Sequence, residues 1–453
     1  MQEELYDMLK ERNYNRLRSI LSDMNPADIA GILEEAPVAE QIPVMFRILP
    51  KELAAEVFSY MESEMQQQLI ETFSDKELRE VLDELFMDDT VDIIDEMPAT
   101  VAKRILKQTD AATRKMINQL LAYPDDSAGS IMTTEYIDLK KDMTVMEAFD
   151  RIRKIGVDTE SIYTCYVTDR SRKLIGIVTV KDLLLSDKES KIGEIMDENV
   201  IFANTVDDKE DVAQKFSLYD FLTMPVVDKE NRLVGIITVD DVIDVIQEEA
   251  TEDIEKMAAI LPSDKSYFRT SVFSVFKARI PWLILLMLLA TFTSAIISSF
   301  EDKLKVFPAL IAFIPMLMDT AGNSGSQASV TIIRSISLGD IEFKDFFKVL
   351  WKEIRVALLC SGALAIVNLI KLFVVDYLIF NTFDAEKQLL EILVVCLTLS
   401  ITVIVAKIVG CVLPLLAKRV GFDPAVMASP LITTAVDTIS LTVYFTIAIK
   451  LLA

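Results

Sequence analysis

The chain has 453 residues, is 51% hydrophobic, carries a formal net charge of −24 and contains no histidine. The missing histidine excludes Ser-His-Asp and Cys-His catalysis and the His-containing zinc motifs, and the acidity argues against nucleic acid as a partner. The four cysteines (Cys165, Cys360, Cys396 and Cys411) are scattered without a CxxC pair and read as small apolar fillers in a reducing compartment.

The charge is unevenly spread. Residues 1–276 hold a net −26, whereas residues 277–453 hold +2, so the first part is a strongly acidic body that repels itself unless cations screen it. The N-terminus, Met1-Gln2-Glu3-Glu4-Leu5, shows no signal-peptide apolar core and is expected to stay in the cytoplasm. Residues 1–128 read as an all-α domain. Helix starts recur at Pro26, Pro50 and Asp75, each followed by an acid and then by apolar residues at i, i+3, i+4 spacing. This repetition predicts stacked helical hairpins in a superhelix.

Residues 129–246 contain an internal repeat. Lys173-Leu174-Ile175-Gly176-Ile177-Val178-Thr179-Val180-Lys181-Asp182 matches Arg232-Leu233-Val234-Gly235-Ile236-Ile237-Thr238-Val239-Asp240-Asp241, and upstream Ser130-Ile131-Met132 matches Glu194-Ile195-Met196. Each copy predicts strand, helix, strand, strand, helix. The doubled motif resembles a tandem pair of CBS domains, an α/β regulatory module that often binds adenosine nucleotides such as ATP. The resemblance implies that Thr179 with Asp182, and Thr238 with Asp241, hold a ribose. Read from the residues alone, such a Thr/Asp pair is equally a strand end followed by a helix N-cap.

Residues 247–277 form an acidic connector with a helical pattern. Beyond it, five apolar stretches are long enough to span about 30 Å of hydrocarbon, at about 280–300, 306–335, 354–380, 388–416 and 425–452. With a cytoplasmic start, five spans place the C-terminus outside. Lys277, Arg279, Arg334, Lys344, Lys348, Lys352, Arg355, Lys418 and Arg419 then flank the inner face, against Lys303, Lys305, Lys387 and Lys450 outside, which obeys the positive-inside rule. The polar run Asp319-Thr320-Ala321-Gly322-Asn323-Ser324-Gly325-Ser326-Gln327 predicts an interrupted second span that either packs helices closely or frees carbonyls to line a cavity. Asp319 and Lys407 are intramembrane charges that invite a structural pairing. Asp437 in the last span has no arginine nearby in sequence; a carboxylate at bilayer depth costs several kcal/mol and belongs on an aqueous path. A cation is its simplest partner, which argues against an anion carrier.

In this order the elements, with Ala321-Gly322-Asn323-Ser324-Gly325-Ser326-Gln327 and Gly421-Phe422-Asp423-Pro424-Ala425, resemble the MgtE family of magnesium transporters. The resemblance implies a multidomain chain: an all-α superhelical N-domain (1–128), tandem CBS domains (129–246), a connecting plug helix (247–277) and a five-helix transmembrane domain (278–453). It implies a homodimer in the bacterial inner membrane whose fifth spans line a magnesium pore, with Asp437 as the pore acid and Asp423 at its cytoplasmic end. Asp423 also reads as an N-cap before Pro424. Where the family often has Asn-Pro, this chain has Ser429-Pro430. The family's magnesium sensor, carried onto this sequence, uses Asp208, Glu210 and Asp220 of the second repeat, Asp241, Asp244, Glu249, Glu252 and Asp253 of the connector, and N-domain acids around Asp89. Internal magnesium bound there closes the pore. The alternative is a CBS-regulated carrier of another divalent cation or of a small solute. An enzyme is not expected, since an intramembrane metalloprotease needs the histidines this chain lacks.

Overall fold

The computed structural model describes all residues except Met1, Pro37, Asp158, 264–266, 268–269, 301–307, 375–388, Ala428 and Ala453. Lys303, Lys305 and Lys387, assigned above to the outer face, lie outside the described residues. The chain divides into two compact units, Met1–Ile246 and Gln247–Ala453.

In the first unit, short helices follow one another through residue 120, and their starts are locally encoded. Asn25 accepts from the Ala27 amide with Pro26 in the first turn, Ser74 and Glu77 form a reciprocal capping box, and Asp110 accepts from the Ala112 and Thr113 amides. Their apolar faces meet in one core, in which the rings of Phe46, Phe58 and Phe73 pack with centroids 5.4–6.3 Å apart. Arg104 donates to the Phe73 carbonyl at 2.6 Å and ties successive hairpins together.

Two three-stranded sheets follow. In the first, β1 (Asp138–Leu139) runs parallel to β2 (Thr164–Thr168), which pairs antiparallel with β3 (Leu174–Thr179). In the second, β4 (Ala203–Asn204), β5 (Thr223–Val227) and β6 (Leu233–Thr238) repeat the arrangement. The paired Ser-Ile-Met and Glu-Ile-Met segments now have a role. Met132 precedes the first repeat yet packs on the second: a Cβ on Gly235 would meet its Sδ at 2.7 Å, and Thr133 exchanges backbone hydrogen bonds with Ile236 at 2.9 Å. Met196 precedes the second repeat and lies against Gly176 of the first in the same way, with Asp197 bonded to Ile177. The glycines are therefore required by the close approach of a neighbouring side chain.

The long acidic helix runs Val239–Met257. It begins eight residues earlier than the expected 247–277 connector and stops well before its end, because Ala259 takes a left-handed turn (φ 56°) and Pro262 follows. The second unit holds five long helices among the described residues: Val272–Ser299, Ile314–Ser337, Phe346–Lys371, Leu389–Val420 and Ser429–Leu452. All but Ile314–Ser337 are long and apolar enough to cross a membrane by length and composition.

The second of these helices is not interrupted. Pro315 sits in its first turn, where no amide donor is needed, and the small residues serve packing. A Cβ at Gly322 would come 3.1 Å from Thr433 Cγ2, one at Gly325 would come 3.0 Å from Ile432 Cγ2, and one at Gly410 would collide with the Gly325 carbonyl. The helix is the polar, buried centre of the unit, which explains why its hydropathy falls below that of its neighbours. All four cysteines are free thiols.

Candidate functional site

Asp437 stands mid-way along the fifth helix, half-buried. Among the described residues it has no ion-pair or hydrogen-bond partner. Thr434, Thr438, Thr442 and Thr446 recur every four residues on the same helix. Each donates its hydroxyl to the carbonyl one turn back, at 2.9, 3.1, 2.8 and 2.6 Å. With the donor hydrogens committed to the helix, the oxygens retain free lone pairs, so the helix carries a stripe of acceptors beside a carboxylate. The sequence reading overlooked this stripe; its signal was the i, i+4 threonine spacing.

The second helix supplies another carboxylate. Its antiparallel register on the fifth helix is set by Leu317 clustering with Leu441 and Tyr444, Ala321 with Val436, and Gly325 with Ile432. Asp319 therefore falls level with Asp437 and acts on it electrostatically. The Asp319–Lys407 pairing does not form: Lys407 is 4% exposed and makes no ion pair among the described residues. Ser429 opens the fifth helix, but its side chain lies outside the described residues.

At the start of this helix, Asp423 caps the turn Pro424–Met427 by accepting from the Ala425 amide at 2.8 Å. Its second oxygen is taken by Lys256 Nζ at 2.6 Å, and the same ammonium lies 2.5 Å from Glu252. Two expected metal ligands thus already share one lysine ammonium. Burial opposes the lysine's charge, but its hydrogen bonds to Asp423 and Glu252 outweigh that and raise its pKa. Asp253 accepts from the Ser337 hydroxyl at 2.9 Å; burial raises its pKa, with the neighbouring Asp423 adding to the shift. Glu249 lies on the same helix, half-buried.

In the first unit, Asp88, Asp89 and Asp92 of the helix Met87–Glu96 gather with Glu135, Glu160, Asp240 and Asp241. Burial, then the charges of Asp241, Asp240 and Glu135, push Asp89 up to about 7. Asp88 and Asp241 are raised by burial and by their acidic neighbours, and Asp244 by burial and Asp240. Glu160 is pushed up to about 9 by burial and then by Asp88, and among the described residues its Oε2 is buried without a hydrogen-bond partner. Glu135 accepts from the Met87 amide at 3.1 Å. The sequence reading singled out Asp89, Asp241 and Asp244 but missed Glu135, Glu160 and Asp240, which come from separate loops and helices and leave no spacing to read.

Asp208 and Asp220 are not brought together. They cap opposite ends of the helix Lys209–Tyr219, Asp208 accepting from the Glu210 amide and Asp220 in a left-handed turn; eleven residues of helix set them roughly 16 Å apart along its axis. Among the described residues no three carboxylates converge as a ready-made metal cage. A hydrated magnesium ion keeps most of its water and needs only one or two carboxylates, which suits the loose acidic grouping. The Thr/Asp pairs of the repeats are realised as local caps: Thr179 Oγ1 donates to Asp182 Oδ2 at 2.5 Å and accepts from the Asp182 amide at 3.2 Å, and Thr238 Oγ1 donates to Asp241 at 2.5 Å.

Comparison with known proteins follows this division. Residues 314–447 match a divalent cation transporter family, residues 24–126 the MgtE intracellular N domain, and residues 128–189 and 192–248 the CBS domain. The chain is 36% identical to the magnesium transporter MgtE of Thermus thermophilus over 99% of its own length and 98% of that protein's. It is 32% identical to MgtE of Bacillus subtilis over 97% and 95%. A crystal structure of the cytosolic domain of the Mg2+ channel MgtE in complex with ATP covers 54% of this chain and all of its own, at 37% identity and a TM-score of 0.52. The chain therefore belongs to the MgtE family of magnesium transporters, multi-pass membrane proteins with cytosolic N-terminal domains that are not enzymes.

Proposed function

We propose that the chain admits magnesium across a bacterial inner membrane as a homodimer, and that internal magnesium closes it. The observation that supports conduction is Asp437: a carboxylate in a membrane-crossing helix, without a cation partner among the described residues, beside a stripe of threonine oxygens and level with Asp319. Two copies of the fifth helix would set carboxylates and hydroxyl oxygens around the water shell of Mg2+. Gripping the ion through its water avoids most of its dehydration cost.

Closure follows from the acids gathered in the first unit and from Glu252 and Asp423 of the second. The raised pKa values of Asp88, Asp89, Asp241 and Glu160 record burial and then mutual repulsion, which a divalent ion relieves. Magnesium that binds the compact arrangement better than a loosened one shifts the population toward the compact one. A single site at ten times its dissociation constant contributes about 1.4 kcal/mol, so a few sites together suffice for a sharp response. A bound adenosine nucleotide, for which Thr179, Asp182, Thr238 and Asp241 are the candidate holders, would tune the threshold.

The test is Mg2+ flux into liposomes containing the full chain, with Mn2+, Co2+, Ca2+ and Cl− as competing arms. Asp437→Asn is expected to abolish Mg2+ entry. Full residual flux in that variant refutes the assignment, and preferential flux of another divalent ion replaces magnesium as the cargo.

A further inference from the structure

Lys256 was not among the residues the sequence singled out, yet its ammonium bridges two acids beside the turn that starts the fifth helix. Its ammonium lies 2.6 Å from Asp423 and 2.5 Å from Glu252, and its side chain keeps only 22% of its exposure. Asp423 is fixed from the other side by the Ala425 amide on Oδ1, and the ammonium holds its Oδ2. Asp253 stands one residue from Glu252, held by Ser337, and its pKa is raised in part by Asp423. Met257, next to Lys256, packs with Ile333 and Ala425 and seats this end of the acidic helix against the turn that starts the fifth helix.

We propose that the Lys256 ammonium is a resident cation of the inner mouth, competing with magnesium for Asp423 and Glu252 and so raising the internal magnesium concentration needed for closure. With lysine in place, Glu252, Asp253, Lys256 and Asp423 sum to −2; without it they sum to −3. Ammonium at hydrogen-bond distance and a hydrated divalent ion cannot share the same two carboxylates, so every magnesium ion bound there must first displace the lysine. Displacement subtracts the strength of the ion pairs from the apparent affinity for magnesium. The inference rests on the proposed closure by internal magnesium, and it assigns Lys256 as a positioning residue that acts through Asp423.

The experiment is the open probability of the full-length channel in inside-out patches, recorded against internal Mg2+ for the wild type, Lys256→Met, Lys256→Arg, and Lys256→Met combined with Asp423→Asn. Lys256→Met keeps the apolar stem and is expected to lower the half-closing concentration at least about fivefold. Lys256→Arg is expected to stay near the wild type, and the double variant to lose the gain. A lysine with a purely structural role, seating the helix, gives the opposite sign: its removal loosens closure and raises the concentration. An unmoved or raised midpoint in Lys256→Met overturns this inference alone, whereas a wild type that ignores internal Mg2+ overturns the proposed closure and this inference with it. If Lys256→Met fails to insert, Lys256→Gln removes the same charge and is judged by the same sign.

Discussion

Gly410 lies directly on the carbonyl oxygen of Gly325, leaving no room for a methyl group between the second and fourth long helices. A Cβ at Gly325 would in turn press on Ile432 and come into contact with Val436, so there is no slack on the other side of this helix either. Gly410→Ala is expected to destabilise the full chain in detergent by about 1–3 kcal/mol through overpacking. Gly362 is the control: it is also helical, but a Cβ there would meet nothing within 4 Å among the described residues, so Gly362→Ala should be neutral or stabilising by up to about 1 kcal/mol. Thermal unfolding of the two variants side by side checks the pair.

Asp319 sharpens the site around Asp437. Its charge is repulsive to Asp437 when the path is empty and attractive to an ion within it. Asp319→Asn is expected to raise the half-saturating Mg2+ concentration about fivefold while leaving the maximal flux largely intact. Loss of all flux would instead make Asp319 a pore acid equal to Asp437.

The acidic group of the first unit makes stability depend on pH. Asp89 titrates near 7 and Glu160 near 9 in the folded chain, above the ordinary carboxylate values they have when unfolded. The folded form therefore binds more protons over that interval, and its stability falls as pH rises from about 4 through 9. Without magnesium, the melting temperature of the full chain should increase by several degrees on going from pH 8 to pH 5. Saturating Mg2+ should flatten the slope by taking over the role of the protons. A Mg2+-independent slope would show that the ion does not reach these acids.

Asp241 belongs to two settings at once, the acidic group and the cap with Thr238. Asp241→Asn is expected to weaken both Mg2+ closure and adenosine nucleotide binding. Asp182→Asn, whose carboxylate among the described residues serves only the exposed Thr179 cap, should affect nucleotide alone. Calorimetric titration of ATP with and without Mg2+ separates the two.

Much of the architecture was legible because it is written locally. Asn25-Pro26, Ser74 with Glu77, and the duplicated Gly-x-x-Thr-x-x-Asp stretch each fix a helix start or a strand-to-helix turn within a few residues. The misreadings came where tertiary contacts decide. The glycines at 322 and 325 look like breaks in a one-dimensional reading but are points of contact between helices. Asp423 and Glu252 look like free ligands until Lys256 closes on both. Glu160, flanked by nothing that marks it, comes to have one buried oxygen without a hydrogen-bond partner among the described residues only when segments distant in sequence meet around it.

The crossed seating of Met132 on Gly235 and Met196 on Gly176 has its own corollary. Neither half of the duplicated module is a closed body, for each is completed by the leader of its sibling. Severing the chain near residue 190 would bare two unmatched edges at once, and a solitary copy could heal itself only by embracing a twin.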